Sequence, residues 1–163
     1  MASPVQPMPD TMGFLLGDWL VRRSVEDLRN GVTGSFSGRA RVRSAGECRA
    51  IQDESGTLVT GGRRLASRRR TLYVGEREGA VAVRFEDGRP FHLLDLRTGG
   101  WRAEHRCGED LYLGAFAVLS AQGWQVTWLV TGPRKHEVVS TELWRLELSG
   151  HEMPPASGLV PES

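Results

Sequence analysis

The residues best equipped for chemistry fall in one short run, His105-Arg106-Cys107-Gly108-Glu109-Asp110-Leu111-Tyr112. Read as a hairpin, alternation sets Trp101, Ala103, His105 and Cys107 on one face and Arg102, Glu104 and Arg106 on the other. The charged set claims solvent, which sends His105 and Cys107 inward. Asp110 and Tyr112 share a face on the following strand. If its register turns that face in as well, an imidazole, a thiol, a carboxylate and a phenol converge. An imidazole oriented by a carboxylate titrates near neutral pH, so His105, Asp110 and Tyr112 form a candidate catalytic acid–base set. The same groups would also serve as a buried polar network that pins the hairpin. Lys135, the only lysine of the chain, lies in the turn Gly132-Pro133-Arg134-Lys135-His136 and joins the catalytic candidates. A desolvated amine forms Schiff bases or neutralises an enolate, whereas a loop lysine in water does neither.

A second candidate segment is Asp87-Gly88-Arg89-Pro90-Phe91-His92. Asp-Gly makes a hairpin turn, and Phe91 and His92 are expected to open the next strand on opposite faces. Arg89 at a rim suits a ligand carboxylate or phosphate, or else pairs with Asp87 or Glu86. Arg89, His92, Cys107, Phe116 and Trp128 together make the expected ligand-binding set. His92, His105, Cys107 and His136 are on hand for a metal, but no Cys-x-x-Cys, His-x-x-x-His or His-Glu-x-x-His spacing joins them, so no metal is expected. A Gly-x-Ser-x-Gly elbow and a phosphate loop are also missing, and no cofactor is called for. Arg63, Arg64 and Arg68–Arg70 lack interleaved aromatics and read as a solvated hairpin face.

The elements that must position these groups are strands. No helical stripe of useful length occurs beyond a short turn at Thr11–Leu16. Alternating segments recur near 17–27, 33–43, 46–54, 57–65, 68–75, 80–86, 91–97, 101–107, 110–119, 124–131 and 136–148, with one of them a bend rather than a separate strand. Turn signals divide them, among them Asn30-Gly31, Ser55-Gly56, Gly61-Gly62, Asp87-Gly88, Gly108 and Gln122-Gly123. Arg39, Arg41 and Arg43 oppose Ala40 and Val42, so that comb faces water. The expected fold is an all-β, antiparallel, up-and-down barrel of about 8–11 strands, closed to remove its edges. Pro-rich ends set the expected boundaries: a flexible tail at 1–10, one barrel domain at 11–148, and a second flexible tail at 149–163.

Composition supports one packed domain: 163 residues, 39% hydrophobic and 25% charged. With 21 basic against 20 acidic side chains the net charge is +1, which gives no global attraction to nucleic acid or membrane. The longest apolar runs are far below a membrane span, and Met1-Ala2-Ser3-Pro4 does not open a secretory leader. A cytoplasmic setting is expected, with Cys107 a buried reduced thiol and Cys48 unpaired with it.

Gly17-Asp18-Trp19, opening the first strand, resembles the Gly-x-Trp signature of lipocalins and related calycins. The resemblance implies that Trp19 closes the barrel bottom under Arg145 of the last strand, through a cation–π stack. The chain is also similar to a family of small bacterial and fungal proteins of unknown function thought to be lipocalin-like. The matching pieces are Phe14-Leu15-x-Gly17-x-Trp19, Gly34-x-Phe36-x-Gly38-x-Ala40, Val83-x-Phe85-x-Asp87-Gly88-Arg89-Pro90-Phe91-His92, His105-x-Cys107-x-x-Asp110-x-Tyr112 and Trp128-x-x-x-Gly132-Pro133-x-Lys135.

The expected function is therefore a barrel holding one compact, largely apolar small molecule, as a monomer or homodimer, with neither nucleic acid nor membrane as partner. Catalysis, if any, would be a cofactor-free isomerisation, cyclisation or dehydration of a biosynthetic intermediate. Two alternatives stand beside it. One is a haem barrel similar to the nitrobindins, although Ser140–Arg145 carries no histidine where their ligand lies. The other is a non-catalytic protein-interaction module using the arginine combs.

Overall fold

The computed structural model describes residues 4–146, so the expected tail at 149–163 lies outside the described residues. A five-residue helix α1 (Thr11–Leu15) is followed by ten strands: β1 (Gly17–Asp27), β2 (Val32–Ser44), β3 (Arg49–Thr60), β4 (Arg63–Gly75), β5 (Val81–Phe85), β6 (Pro90–Leu94), β7 (Gly100–Cys107), β8 (Asp110–Ser120), β9 (Gly123–Thr131) and β10 (His136–Arg145). They form one sheet in the order β6-β5-β4-β3-β2-β1-β10-β9-β8-β7, antiparallel throughout. First and last strands pair, with Trp19 opposite Arg145, and the sheet curls into a nearly closed barrel. Alternation places Trp124, Val126 and Val130 inside, and Ala40 and Val42 inside opposite the exposed Arg39, Arg41 and Arg43.

One expected turn is not a turn. Ser55-Gly56 sits in the middle of β3, where Gly56 pairs with Gly38 of β2. A Cβ on Gly38 would lie 2.2 Å from the Ser55 carbonyl oxygen and 2.7 Å from the Phe36 ring. The glycines here permit close backbone approach under an aromatic ring rather than a reversal, so β3 joins the segment expected at 46–54 to residues 57–60, while residues 63–65 belong to β4 with the segment expected at 68–75.

The closed end is built on α1. Asp10 caps it by accepting the Gly13 N–H at 3.0 Å. At the other end of the helix, its free carbonyls are met by side chains: Trp19 Nε1 donates to Leu15 O at 2.9 Å, and Arg145 donates to Phe14 O at 2.6 Å and Leu16 O at 2.7 Å. The Arg145 guanidinium lies 4.2 Å from the Trp19 ring centroid, the stack that the Gly-x-Trp resemblance implies. Phe14, Trp19 and Trp124 pack edge to face at centroid distances of 5.5–6.3 Å, and Trp19 is fully buried.

Between β6 and β7 no main-chain ladder exists, and other groups bridge the gap. Trp101 Nε1 donates to Leu93 O at 2.7 Å. Within the segment expected to lie outside the folded unit, Gln6 N–H donates to Val118 O and Met8 N–H to Leu96 O. Thr11 Oγ1 accepts the Leu96 N–H at 3.0 Å.

Arg145→Ala removes the stack and three carbonyl contacts, to Phe14, Leu16 and Ala121. Urea unfolding is expected to show a loss of about 2–4 kcal/mol. A loss below about 0.5 kcal/mol would show that the plug does not depend on Arg145.

Candidate functional site

The barrel interior encloses a cavity of about 270 Å³. Its two halves differ in chemistry because of the strand order. Strands β5, β6, β8 and β9, which flank the unpaired seam, contribute Phe85, Phe91, His92, Tyr112, Phe116, Trp124 and Trp128. Phe91 is stacked between Phe85 and Trp128, at 4.6 and 5.1 Å, and Phe116 stacks on Trp124 at 6.1 Å. These rings reach across the seam where backbone hydrogen bonds do not.

The facing half, from β1, β3, β4 and β10, is polar. Glu54 is only 4% exposed and is held between two guanidiniums, Arg23 Nη1 at 2.7 Å and Arg69 Nη2 at 3.0 Å. Arg23 Nε also donates to Thr141 Oγ1 at 2.9 Å. Desolvation first, and the neighbouring Arg69 charge second, pull the Arg23 pKa below the usual arginine value, while Glu54 opposes this. Tyr73 donates its hydroxyl to Gln52 Oε1 at 3.0 Å, and burial pushes the phenol pKa up, so it stays neutral.

The sequence-derived candidates separate on this frame. His92, Tyr112, Phe116 and Trp128 line the cavity. His105 pairs with Tyr112 in register, as the shared face requires, with ring centroids 5.8 Å apart. It packs behind Phe85 and Phe91 at 5.6 and 5.0 Å and is not part of the cavity wall. Asp110 pairs with Cys107 at the hairpin tip, and its Oδ2 is 3.6 Å from Lys135 Nζ. A Cβ on Gly132 would lie 2.0 Å from Asp110 Oδ1, so this carboxylate is packed on the 132–135 turn and does not orient His105. Tyr112, then Asp110, hold the Lys135 ammonium above its ordinary pKa, a setting opposite to that of a Schiff-base amine.

Arg89 pairs with Asp87 at 2.6 Å in solvent and lies over the Phe85 ring at 5.4 Å. Cys107, expected to be buried, is exposed, as is Cys48, and both are free thiols. Alternation gives Cys107 the right face, but the β7–β8 hairpin carries it beyond the rim. His136 is exposed at the start of β10.

Phe91 and His92, expected on opposite faces, both line the cavity. The β5–β6 register shifts between Val83 and Arg84, whose partners are His92 and Pro90, leaving Phe91 as the extra residue of a bulge. Sequence reasoning misses Arg23, Gln52, Glu54, Arg69 and Tyr73. Their signal is alternation: Trp19-Val21-Arg23 and Ala50-Gln52-Glu54 continue buried rows inward. Arg69 belongs half to this interior rather than wholly to the solvated face expected for Arg68–Arg70.

Residues 15–145 match the family of unknown function DUF6314, and the chain belongs to that family. No curated protein matches the sequence. Among solved structures, the S-type phycobiliprotein lyase CPES from Guillardia theta is similar with a TM-score of 0.63 and 6% identity, over 83% of this chain and 90% of that one. A de novo designed fluorescence-activating β-barrel aligns over 85% of this chain and all of its own, at 15% identity and a TM-score of 0.46. The likeness to the lyase is one of fold. Among the described residues, no helix is long and apolar enough to cross a membrane.

Glu54→Gln leaves Arg23 buried without its counter-charge. A loss of about 3 kcal/mol in denaturant unfolding is expected; an unchanged midpoint would contradict the buried pairing. Both cysteines are expected to titrate with a thiol reagent such as 5,5′-dithiobis(2-nitrobenzoate) in the native state. Reaction of fewer than two thiols before unfolding would contradict the exposure of Cys48 and Cys107.

Proposed function

We propose that this barrel binds one compact small molecule with a flat, apolar body and a polar end. The observation that carries this reading is the division of a single cavity into an aromatic half around Phe91 and Trp128 and a polar half around Arg23 and Glu54. Flat rings stack favourably on the first half, while a carboxylate or carbonyl finds guanidinium donors on the second. Barrels of this size hold one small ligand in general. A role as a small-molecule carrier or receptor requires nothing further from these residues.

A second reading, acid–base turnover of a biosynthetic intermediate, is favoured by Tyr112. It lines the cavity and its hydroxyl lies beside Lys135, which sets a phenol O–H and an ammonium together at one place on the wall. Asp110 then steadies Lys135. This chemistry is an isomerisation or dehydration that needs no bound cofactor.

The test uses 2-naphthol as the probe and the fluorescence of Trp124 and Trp128 as the readout. Saturable quenching with one site per chain is expected. Val139→Trp, which fills the cavity from β10, is expected to weaken binding at least tenfold while the far-ultraviolet circular dichroism stays that of a β-barrel. Equal binding to a folded Val139→Trp protein would place the probe elsewhere and sink the reading.

A further inference from the structure

The bulge at Phe91 has a consequence for His92. Without it, alternation would turn one of these two side chains outward; with it, both face the cavity. His92 Nδ1 is 2.7 Å from the Leu93 carbonyl oxygen. A carbonyl oxygen only accepts, so Nδ1 carries the proton and, in the neutral ring, Nε2 carries the lone pair. The same oxygen accepts Trp101 Nε1–H at 2.7 Å, which ties the imidazole orientation to the bridge across the seam. Among the described residues nothing donates to Nε2. Its ring neighbours are Phe91, Phe116 and Trp128, at 4.7, 5.3 and 5.2 Å.

We infer that His92 is the ligand-facing proton acceptor of the cavity, presenting Nε2 to an O–H or N–H group on the bound molecule. The inference rests on the cavity reading above and narrows the ligand class to compact aromatic or conjugated molecules bearing a hydrogen-bond donor, such as a phenol, an enol or a ring N–H. Three features act together: the bulge aims the ring, the Leu93 carbonyl holds its tautomer, and the aromatic surroundings supply no competing donor. Burial lowers the His92 pKa; the Leu93 hydrogen bond opposes this and His105 adds a smaller lowering, so the net direction favours the uncharged ring. In a cavity walled by rings, a ligand that supplies a donor to Nε2 is selected over an equally shaped ligand that does not.

Two measurements test this. In a two-bond ¹H–¹⁵N correlation spectrum of the wild-type protein at about pH 7.5, His92 is expected to show a protonated Nδ1 and a bare Nε2. The opposite tautomer overturns the inference and needs no ligand to do so. The second measurement compares 2-naphthol with 2-methoxynaphthalene, which keeps the rings and removes the donor. Wild type is expected to bind 2-naphthol about five- to tenfold more tightly, and His92→Phe, which preserves an aromatic wall, is expected to bind the two equally. Equal affinities in wild type, or a preference that survives in His92→Phe, overturn the role of His92 while leaving the cavity reading intact. Failure of both naphthalenes to bind overturns the cavity reading and this inference with it.

Discussion

The seam between β6 and β7 is the constraint on which the arrangement of the interior depends. Ten antiparallel strands pair in an unbroken order from β6 round to β7, yet the two ends of that order do not join by backbone hydrogen bonds. Side chains close the gap: Trp101 reaches the Leu93 carbonyl, Phe91 stacks on Trp128, and His92 meets Phe116. Unpaired strand edges attract water and other strands, so closure by aromatic rings demands that these rings cluster on one side. The aromatic half of the cavity is the inner surface of that closure.

At the far end, the barrel is sealed by contacts that gather three parts of the chain. Arg145 from the last strand stacks on Trp19 from the first and bonds the carbonyls of α1. With that end plugged by Phe14 and Leu15, the remaining interior volume lies between the polar residues of β1, β3, β4 and β10 and the rings of the seam. Arg23 and Glu54 are costly to bury separately; placed together, with the more exposed Arg69 on the other side of the carboxylate, they neutralise one another in part and leave an excess of positive charge beside the cavity.

Much of this is legible in the sequence. Alternation and turn residues set most strands nearly to the residue, and Gly17-Asp18-Trp19 with Arg145 points to the closed end. Four of the nine candidate site residues, His92, Tyr112, Phe116 and Trp128, line the cavity. His105, Asp110 and Cys107 lie off the cavity wall for a physical reason: period-two patterning reports which face a side chain takes, not its height along the barrel or what packs in front of it; Arg89 and Lys135 lie in the turns before β6 and β10. Cys107 and Asp110 share the inner face of their hairpin but lie at its tip, past the rim. Bulges defeat the same rule in the other direction, since one extra residue at Phe91 brings His92 inward against the expected alternation. Arg23 and Glu54 escape notice because a charged residue on an inward row reads as solvated until a partner on another strand is known, and that pairing is a tertiary fact.

On the proposed reading the interior, and no outer surface, receives a small molecule. Methyl ¹H–¹³C chemical-shift mapping during titration with 2-naphthol tests it most directly. Shifts are expected at Val21, Val83, Val126, Val130, Val139 and Leu143, which line the cavity, with Val32 and Leu65 on the outer surface unchanged. Shifts confined to Val32, Leu65 or other exposed methyls, with the six interior residues silent, would contradict it.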